Sequence, residues 1–440
     1  MASTYLSRTT VTPTNATKFT FSAWCKIANV SGRKCILGYN GGNHWYVIQF
    51  DNSADNCRFE WVEYNSGGTK VVEKYTSASL RDVNGYYHIV CKYNSTLSTV
   101  ADRTKLYING ELADLATNNN PSHMLEAPSA LGGHTQLFGA YETSSNNFDG
   151  IISHAHYCDG YAYDASAFGS TDATTGEWKI NTSPSVTYGN NGFFILEDGN
   201  SVTDQSGNSN NFTVGGGTLT KTEDNPSNVF ATLNPLVNNA GEMMLLTNGN
   251  TSCQSNAAQG NSWKLAVSTL GMTSGKYYWE IKFDNVHNCY NNGVMGSNIL
   301  TANTSNPMNQ TGYTGFYNID GGEIRKDNVV TTQDYGTYAT NDIMGVACDM
   351  DNYTITFYKN GSAFVSNVAL STTGRDAVFP CSVFYNTNNT GIPQASYNFG
   401  NGYFGTTAVS SAGTNASGNG IFEYDVPTGY TALSTKGLNL

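Results

Sequence analysis

Apolar residues recur at every second position through much of the chain. KFTFSAWCKI (18–27) sets Phe19, Phe21, Ala23, Cys25 and Ile27 against Lys18, Thr20, Ser22, Trp24 and Lys26. That is the period of a strand with one buried and one wet face. WYVIQF (45–50), CRFEWVEY (57–64) and YYHIVCKY (86–93) repeat it, and KLYING (105–110) closes on Asn109-Gly110, a pair suited to the two positive φ angles of a type I′ hairpin. No segment keeps a helical period over three turns. Short strands separated by Gly and Asn turns predict an all-β protein made of β-sandwiches.

The rhythm breaks at GGGTLTKTEDNPSNVFATLNPLVNNAGEMM, which opens on three glycines, carries Pro226 and Pro235 and does not alternate. Strand patterning resumes with SWKLAVST (262–269) and KYYWEIKFDN (276–285), and DNYTITFYKNG (351–361) ends on Asn360-Gly361 as LYING ended on Asn109-Gly110. Two sandwiches in tandem follow: 1–215, a linker over 216–245, and 246–405. Residues 406–440 begin as a Gly/Ser-rich stretch expected to be a mobile loop. They end in FEYDVPTGYTALSTKGLNL, with enough aromatic and aliphatic content to pack back on a domain.

Composition narrows the function. Charged residues are only 13 % of the chain, aromatic residues reach 12 % with 28 Tyr, and the formal net charge is −12. Nucleic acid requires a basic face, and no basic cluster occurs. No run approaches the roughly 18 apolar residues of a membrane span. MASTYLSRTT lacks the apolar core of a signal peptide. The nine cysteines include no C-x-x-C pair, and Cys25, Cys57 and Cys91 keep register with apolar neighbours. They are expected to be small buried hydrophobes in a chain folded in a reducing cytoplasm.

YLSRTTVTPTNATKFTFSAWCKI, KLYINGEL and FDGIISHAHYCDGYAYDASAFGSTDATTGEW (148–178) together resemble the laminin-G-like, concanavalin-type sandwiches of tailed-bacteriophage proteins. Gly150, Asp159, Gly160, Asp164, Ser166, Phe168 and Gly169 carry the most specific part of that resemblance. The second half resembles a SPRY domain. GKYYWEIKF (275–283) matches its opening strand, DIMGVACDMDNYTITFYKNG (342–361) its central hairpin, and VFPCSVFYN with ASYNFGN (378–401) its closing strands. The order of the two modules, with FATLNP between them, resembles virion proteins of marine phages.

Concanavalin-type sandwiches also host glycoside hydrolases, which need a pair of neighbouring carboxylates. No E-x-D-x-x-E strand occurs. Glu60 and Glu63 are three apart on a strand and so point to opposite faces. Glu280 and Asp284 share a face, but in the SPRY pattern that Glu belongs to a structural strand. No catalytic residue is expected. His154, His156 and Cys158 alternate as metal ligands sometimes do, although an ordinary sandwich strand explains them better. DQSGNSNN (204–211) and CDMDN (348–352) offer oxygens for calcium, which the laminin-G resemblance allows, and Asx turns explain both equally well. No other cofactor is expected.

The contact surface is expected in the Asn-rich insert 286–317, longer than a hairpin needs, where Tyr290, Asn291, Asn292 and Tyr313 are the candidate residues for a ligand or partner. The resemblance implies a non-enzymatic virion protein, a tail fibre or tail-associated component binding a host-surface glycan or protein. A capsid decoration or head-fibre protein is the alternative, and a polysaccharide-degrading tailspike a third reading. Its partners would be other virion proteins and further copies of itself, by analogy a trimer.

Overall fold

The computed structural model describes residues 4–53, 57–143, 145–197, 201–237, 244–255, 262–286, 290–300, 306–318, 321–385 and 392–439. The chain divides into two compact units, Met1–Lys221 and Thr222–Leu440, and the described residues are nearly all β.

In the first unit an eight-stranded sheet runs in the order Leu115–Asn119, Lys70–Thr76, Arg58–Tyr64, His44–Asn52, Gly32–Gly41, Thr135–Phe138, Tyr5–Thr9, Thr213–Gly216. It packs against a six-stranded sheet of Phe193–Ile195, Gly150–Asp159, Lys18–Ile27, Tyr87–Asn94, Thr104–Ile108 and Glu111–Leu112. Between them lie the alternating residues of each strand, including Phe19, Phe21, Cys25, Ile48, Phe50, Phe59, Trp61, Ile89 and Cys91.

The strand Lys18–Ile27 departs from expectation, because its supposedly wet face is also buried. A segment after Asp159 crosses that face, setting Ala165, Phe168, Trp178 and Tyr188 against Val90 and Cys158. Trp24 ends 5 % exposed.

The second unit repeats the plan. One sheet orders Leu245–Thr247, Ser252–Gln254, Gln394–Asn398, Lys276–Asn285, Ile343–Asp349, Thr354–Lys359 and Ser362–Ala369, with Thr431–Ala432 running parallel beside Tyr277 and Tyr278. The other orders Trp263–Val267, Val378–Tyr385, Tyr290–Gly296, Tyr313–Tyr317, Glu323–Lys326 and Val329–Gln333. Trp279, Phe283, Phe316, Phe357, Phe384 and Tyr397 fill the space between.

Both Asn-Gly pairs take positive φ, 50° and 84° at Asn109 and Gly110, 48° and 80° at Asn360 and Gly361, as the hairpin reading requires. Gly361 has a second constraint: a Cβ there would come within 2.6 Å of the Tyr424 ring.

Two parts assigned to connections are built into the second unit. Phe230, Ala231 and Leu233, placed in the linker by sequence, are buried, and Ala231 N–H donates to the Leu433 carbonyl at 2.9 Å. The Gly/Ser-rich stretch after 405, expected to be mobile, is tied down by its own turns. Gly413 N–H donates to Phe422 O, Val426 N–H to Thr414 O, and Ser410 and Thr414 bond the carboxylates of Glu423 and Asp425. Gly and Ser here satisfy turn geometry and are not a sign of slack. All eight cysteines among the described residues are free and buried; Cys289 lies outside them. Among the described residues, no helix is long and apolar enough to cross a membrane.

Candidate functional site

The insert proposed from sequence is not an exposed loop. Tyr290 and Asn291–Asn292 begin the strand Tyr290–Gly296, and Tyr313 begins Tyr313–Tyr317, both inside the six-stranded sheet and paired to each other. All four side chains are buried, at most 1 % exposed. Tyr290 packs on Phe283 and Phe384 with its hydroxyl against the Asn285 and Gln394 carbonyls. Asn292 Oδ1 accepts from Ser382 Oγ. On the outer face of the same sheet, the Asn291 amide and the Tyr313 hydroxyl find no protein partner, and Tyr313 packs with Ile299 and Met308. Residues 287–289 and 301–305 of the insert lie outside the described residues. Asn content suggested exposure; pairing with the distant strand Val378–Tyr385 decided otherwise.

The carboxylates behave as their parity requires. Glu63 points inward, accepting from Trp61 Nε1 at 2.7 Å, Ser129 N–H at 2.9 Å and Ser129 Oγ at 2.8 Å. Burial pushes its proton affinity up. Glu60 points outward, accepting from Gln49 Nε2 at 2.5 Å and the Tyr75 hydroxyl at 2.7 Å. A hydrolytic pair needs both groups on one cleft, and these two are on opposite sides of a sheet. Glu280 accepts the backbone N–H groups of Glu423 and Tyr424, and Asp284 accepts from Ser396 Oγ at 2.6 Å.

One arrangement not anticipated from sequence resembles catalytic geometry. Ser22 Oγ lies 2.9 Å from His88 Nε2. Trp178 Nε1 donates to His88 Nδ1 at 3.0 Å, and an indole can only donate. Nδ1 is therefore the lone-pair nitrogen, Nε2 carries the proton, and His88 cannot receive one from Ser22. Stacked on Trp24 at 4.6 Å and fully buried, the imidazole is pushed down to about 3. The group is a packed polar junction.

The histidine run is likewise structural. A bulge interrupts pairing between Ser153 and His156, with His154 at φ 47°. His156 then stacks on Phe194 at 4.0 Å and bonds the Tyr188 hydroxyl at 3.0 Å, while Cys158 packs with Val90 and Phe168.

The calcium candidates are turns with no lone pair to spare. Asp204 accepts from Phe194 N–H, Ser206 N–H, Ser206 Oγ and Asn210 N–H, all within 2.9 Å. Asp349 accepts from Asp351 N–H, Asn352 N–H and Asn352 Nδ2 and pairs with Lys276 at 2.9 Å. These oxygens do not fit a calcium site. Among the described residues no group of three metal-ligating side chains converges.

On the outer face of the first unit's eight-stranded sheet, Trp45, Tyr64 and Tyr75 are half-exposed, whereas Val47, Val62, Gln49 and Glu60 are at most 5 % exposed. Strand register sets Asn40, Trp45, Tyr64 and Lys70 in one row across four strands. The next row holds Gly38, Val47, Val62 and Glu73, and beyond it lie Gln49, Glu60 and Tyr75. Trp45 stacks on Tyr64 at 4.4 Å with Tyr141 edge-on at 6.1 Å, all three half-exposed. Arg58 lies over Tyr75 at 5.0 Å. Gln49 Oε1 has no protein partner although Gln49 is 2 % exposed. A half-exposed aromatic pair thus stands between Asn40 and Lys70, with the buried Gln49 and Glu60 two rows away. The signal in the sequence was parity: in WYVIQF, Trp45 stands opposite Tyr46, which is fully buried in the core.

Residues 2–161 match the family model of the concanavalin A-like lectin/glucanases superfamily, and residues 276–394 match that of the SPRY domain. Solved structures similar to this chain include the SPRY domain of human HERC1, with 18 % identity over 38 % of this chain and 96 % of that one at a TM-score of 0.29. Stonustoxin is 19 % identical over 38 % of this chain and 27 % of its own, TM-score 0.29, and the TRIM65 PSpry domain 13 % over 38 % and 91 %, TM-score 0.28. No curated protein matches the chain.

Proposed function

We propose that this chain, a concanavalin-like sandwich followed by a SPRY sandwich, is a non-enzymatic recognition protein whose first unit holds a glycan on the outer face of its eight-stranded sheet. The observation that supports this reading is the row Asn40, Trp45, Tyr64 and Lys70, in which Trp45 stacks half-exposed on Tyr64. An indole accepts the C–H face of a pyranose, and the Asn40 amide and Lys70 ammonium in the same row suit its hydroxyls. Spent carboxylates at Glu63 and Glu280 speak against hydrolysis.

The setting we infer is the virion of a tailed phage, as a trimeric tail fibre or tail-associated component contacting host glycan or protein. That setting rests on the resemblance of the two modules, in this order and around FATLNP, to phage structural proteins. Gold-labelled antibody on purified particles tests it. Label on the tail supports host attachment, and the isolated protein should then block adsorption. Label spread over the head favours capsid decoration, and absence from the particle overturns both. Release of reducing sugar from host capsule would overturn the non-enzymatic reading.

A further inference from the structure

The outer face of the second unit's larger sheet carries a buried acid under the chain's own C-terminal segment. Glu280, fully buried, accepts the backbone N–H groups of Glu423 and Tyr424, each at 2.8 Å, with Asn398 Nδ2 and the Tyr278 hydroxyl at 3.3 Å. Around it Phe422 sets its ring edge-on to Tyr278 at 5.1 Å and packs with Phe230, Ala347, Val426 and Ala432. Residues 409–426 thus form a strap held by apolar packing and by one carboxyl group that spans two of its amides.

We propose that Glu280 is a proton-linked latch for this strap, which is held most tightly with the carboxyl protonated and loosens as it ionises. The surroundings supply the reason. Tyr278 and the half-buried Lys282 flank Glu280 on its own strand. Gly345 faces it from Ile343–Asp349 without a side chain, Asn398 from the other neighbouring strand, and Tyr358 sits beyond. From the strap come Glu423, whose carboxylate is engaged by Ser410, and Tyr424, whose ring senses Asp342 as well as Glu280. Lys282 is the one cation in this set, and it acts on Asp284. Desolvation therefore outweighs the four hydrogen bonds and raises the carboxyl to about 7. When protonated, it can donate toward the Tyr278 oxygen while the other oxygen still accepts a strap N–H. With the strap lifted, water restores the ordinary value, so ionisation favours lifting.

Hydrogen exchange of the full chain, read at the Glu423 and Tyr424 amides and corrected for intrinsic rate, tests this. Between about pH 5.5 and about pH 8.5 their protection should fall about thirty-fold, the ratio that a carboxyl moved from its ordinary value to about 7 implies. Glu280→Gln, which does not titrate, should remove the slope. Protection that is flat or rises with pH would overturn the latch, as would an undiminished slope in Glu280→Gln.

Discussion

The two units are stacked-sheet sandwiches that treat their outer faces differently. In the second, both outer faces are covered: Phe422, Val426 and Tyr430 lie over Tyr278 and Ala347, and Ile299 and Met308 over Met295 and Val383. In the first, Phe168, Trp178 and Tyr188 cover the six-stranded sheet, whereas the eight-stranded sheet keeps Trp45, Tyr64 and Tyr75 half-exposed. The difference follows from what each face offers. An apolar face must be covered to escape water. A face edged by polar groups such as Asn40 and Lys70 beside Trp45 and Tyr64 can remain partly wet. Covering also isolates ionisable groups. It shuts neutral His88 into the first unit and a reluctant acid, Glu280, into the second.

The largest effect should come from removing a cover. Phe422→Ala deletes a fully packed ring and should cost the second unit about 3–5 kcal/mol, read by calorimetry as a lower transition for that unit alone. A matching drop in the first unit's transition would break the comparison.

Acid should then separate the units by sign. His88 and His134, held down to about 3 and about 4 by burial, stabilise the first unit fully above the ordinary histidine value of ~6.5. That contribution is lost as pH falls toward their folded values. Each should remove about 2 kcal/mol between about pH 7 and about pH 5. Glu280 works the other way: its contribution is complete below the ordinary Glu value of ~4.3 and lost as pH rises through about 7. The second unit should gain about 2 kcal/mol over the same interval. Urea midpoints of the two transitions across this range check both slopes, and slopes of equal sign would contradict the assignment. A smaller effect is expected of Trp178→Phe, which leaves the His88 Nδ1 acceptor unmatched. It should cost the first unit about 1–2 kcal/mol by the same urea measurement.

Much of the fold was legible because its signals are local. Period-two alternation, the Asn-Gly hairpins and the opposite facing of Glu60 and Glu63 each depend on a few consecutive residues. The site was not legible, because exposure depends on which distant segment crosses a face. Lys18–Ile27 alternates as a half-wet strand should, yet residues 160–190 cover its polar side. YNNGVMG reads as a polar loop until Val378–Tyr385 pairs beside it. Trp45 could be placed opposite the core by parity alone. That its face stays half-open depends on the strand order of eight segments spread from Tyr5 to Gly216. The Gly/Ser stretch after 405 misled for a related reason: the partners that order it, Phe422 to Val426, come after it in the chain.

The account's central claim is that recognition belongs to the uncovered face of the first unit. Its most direct test is retention of the full chain on a panel of immobilised host glycans, comparing the natural protein with Trp45→Ala and Phe422→Ala. The account predicts that Trp45→Ala loses retention at least tenfold, about the 1.4 kcal/mol of one lost stacking contact, while its melting changes little. Phe422→Ala should bind as the natural protein does despite its weakened second unit. Undiminished binding by Trp45→Ala, or binding lost only in Phe422→Ala, would contradict it.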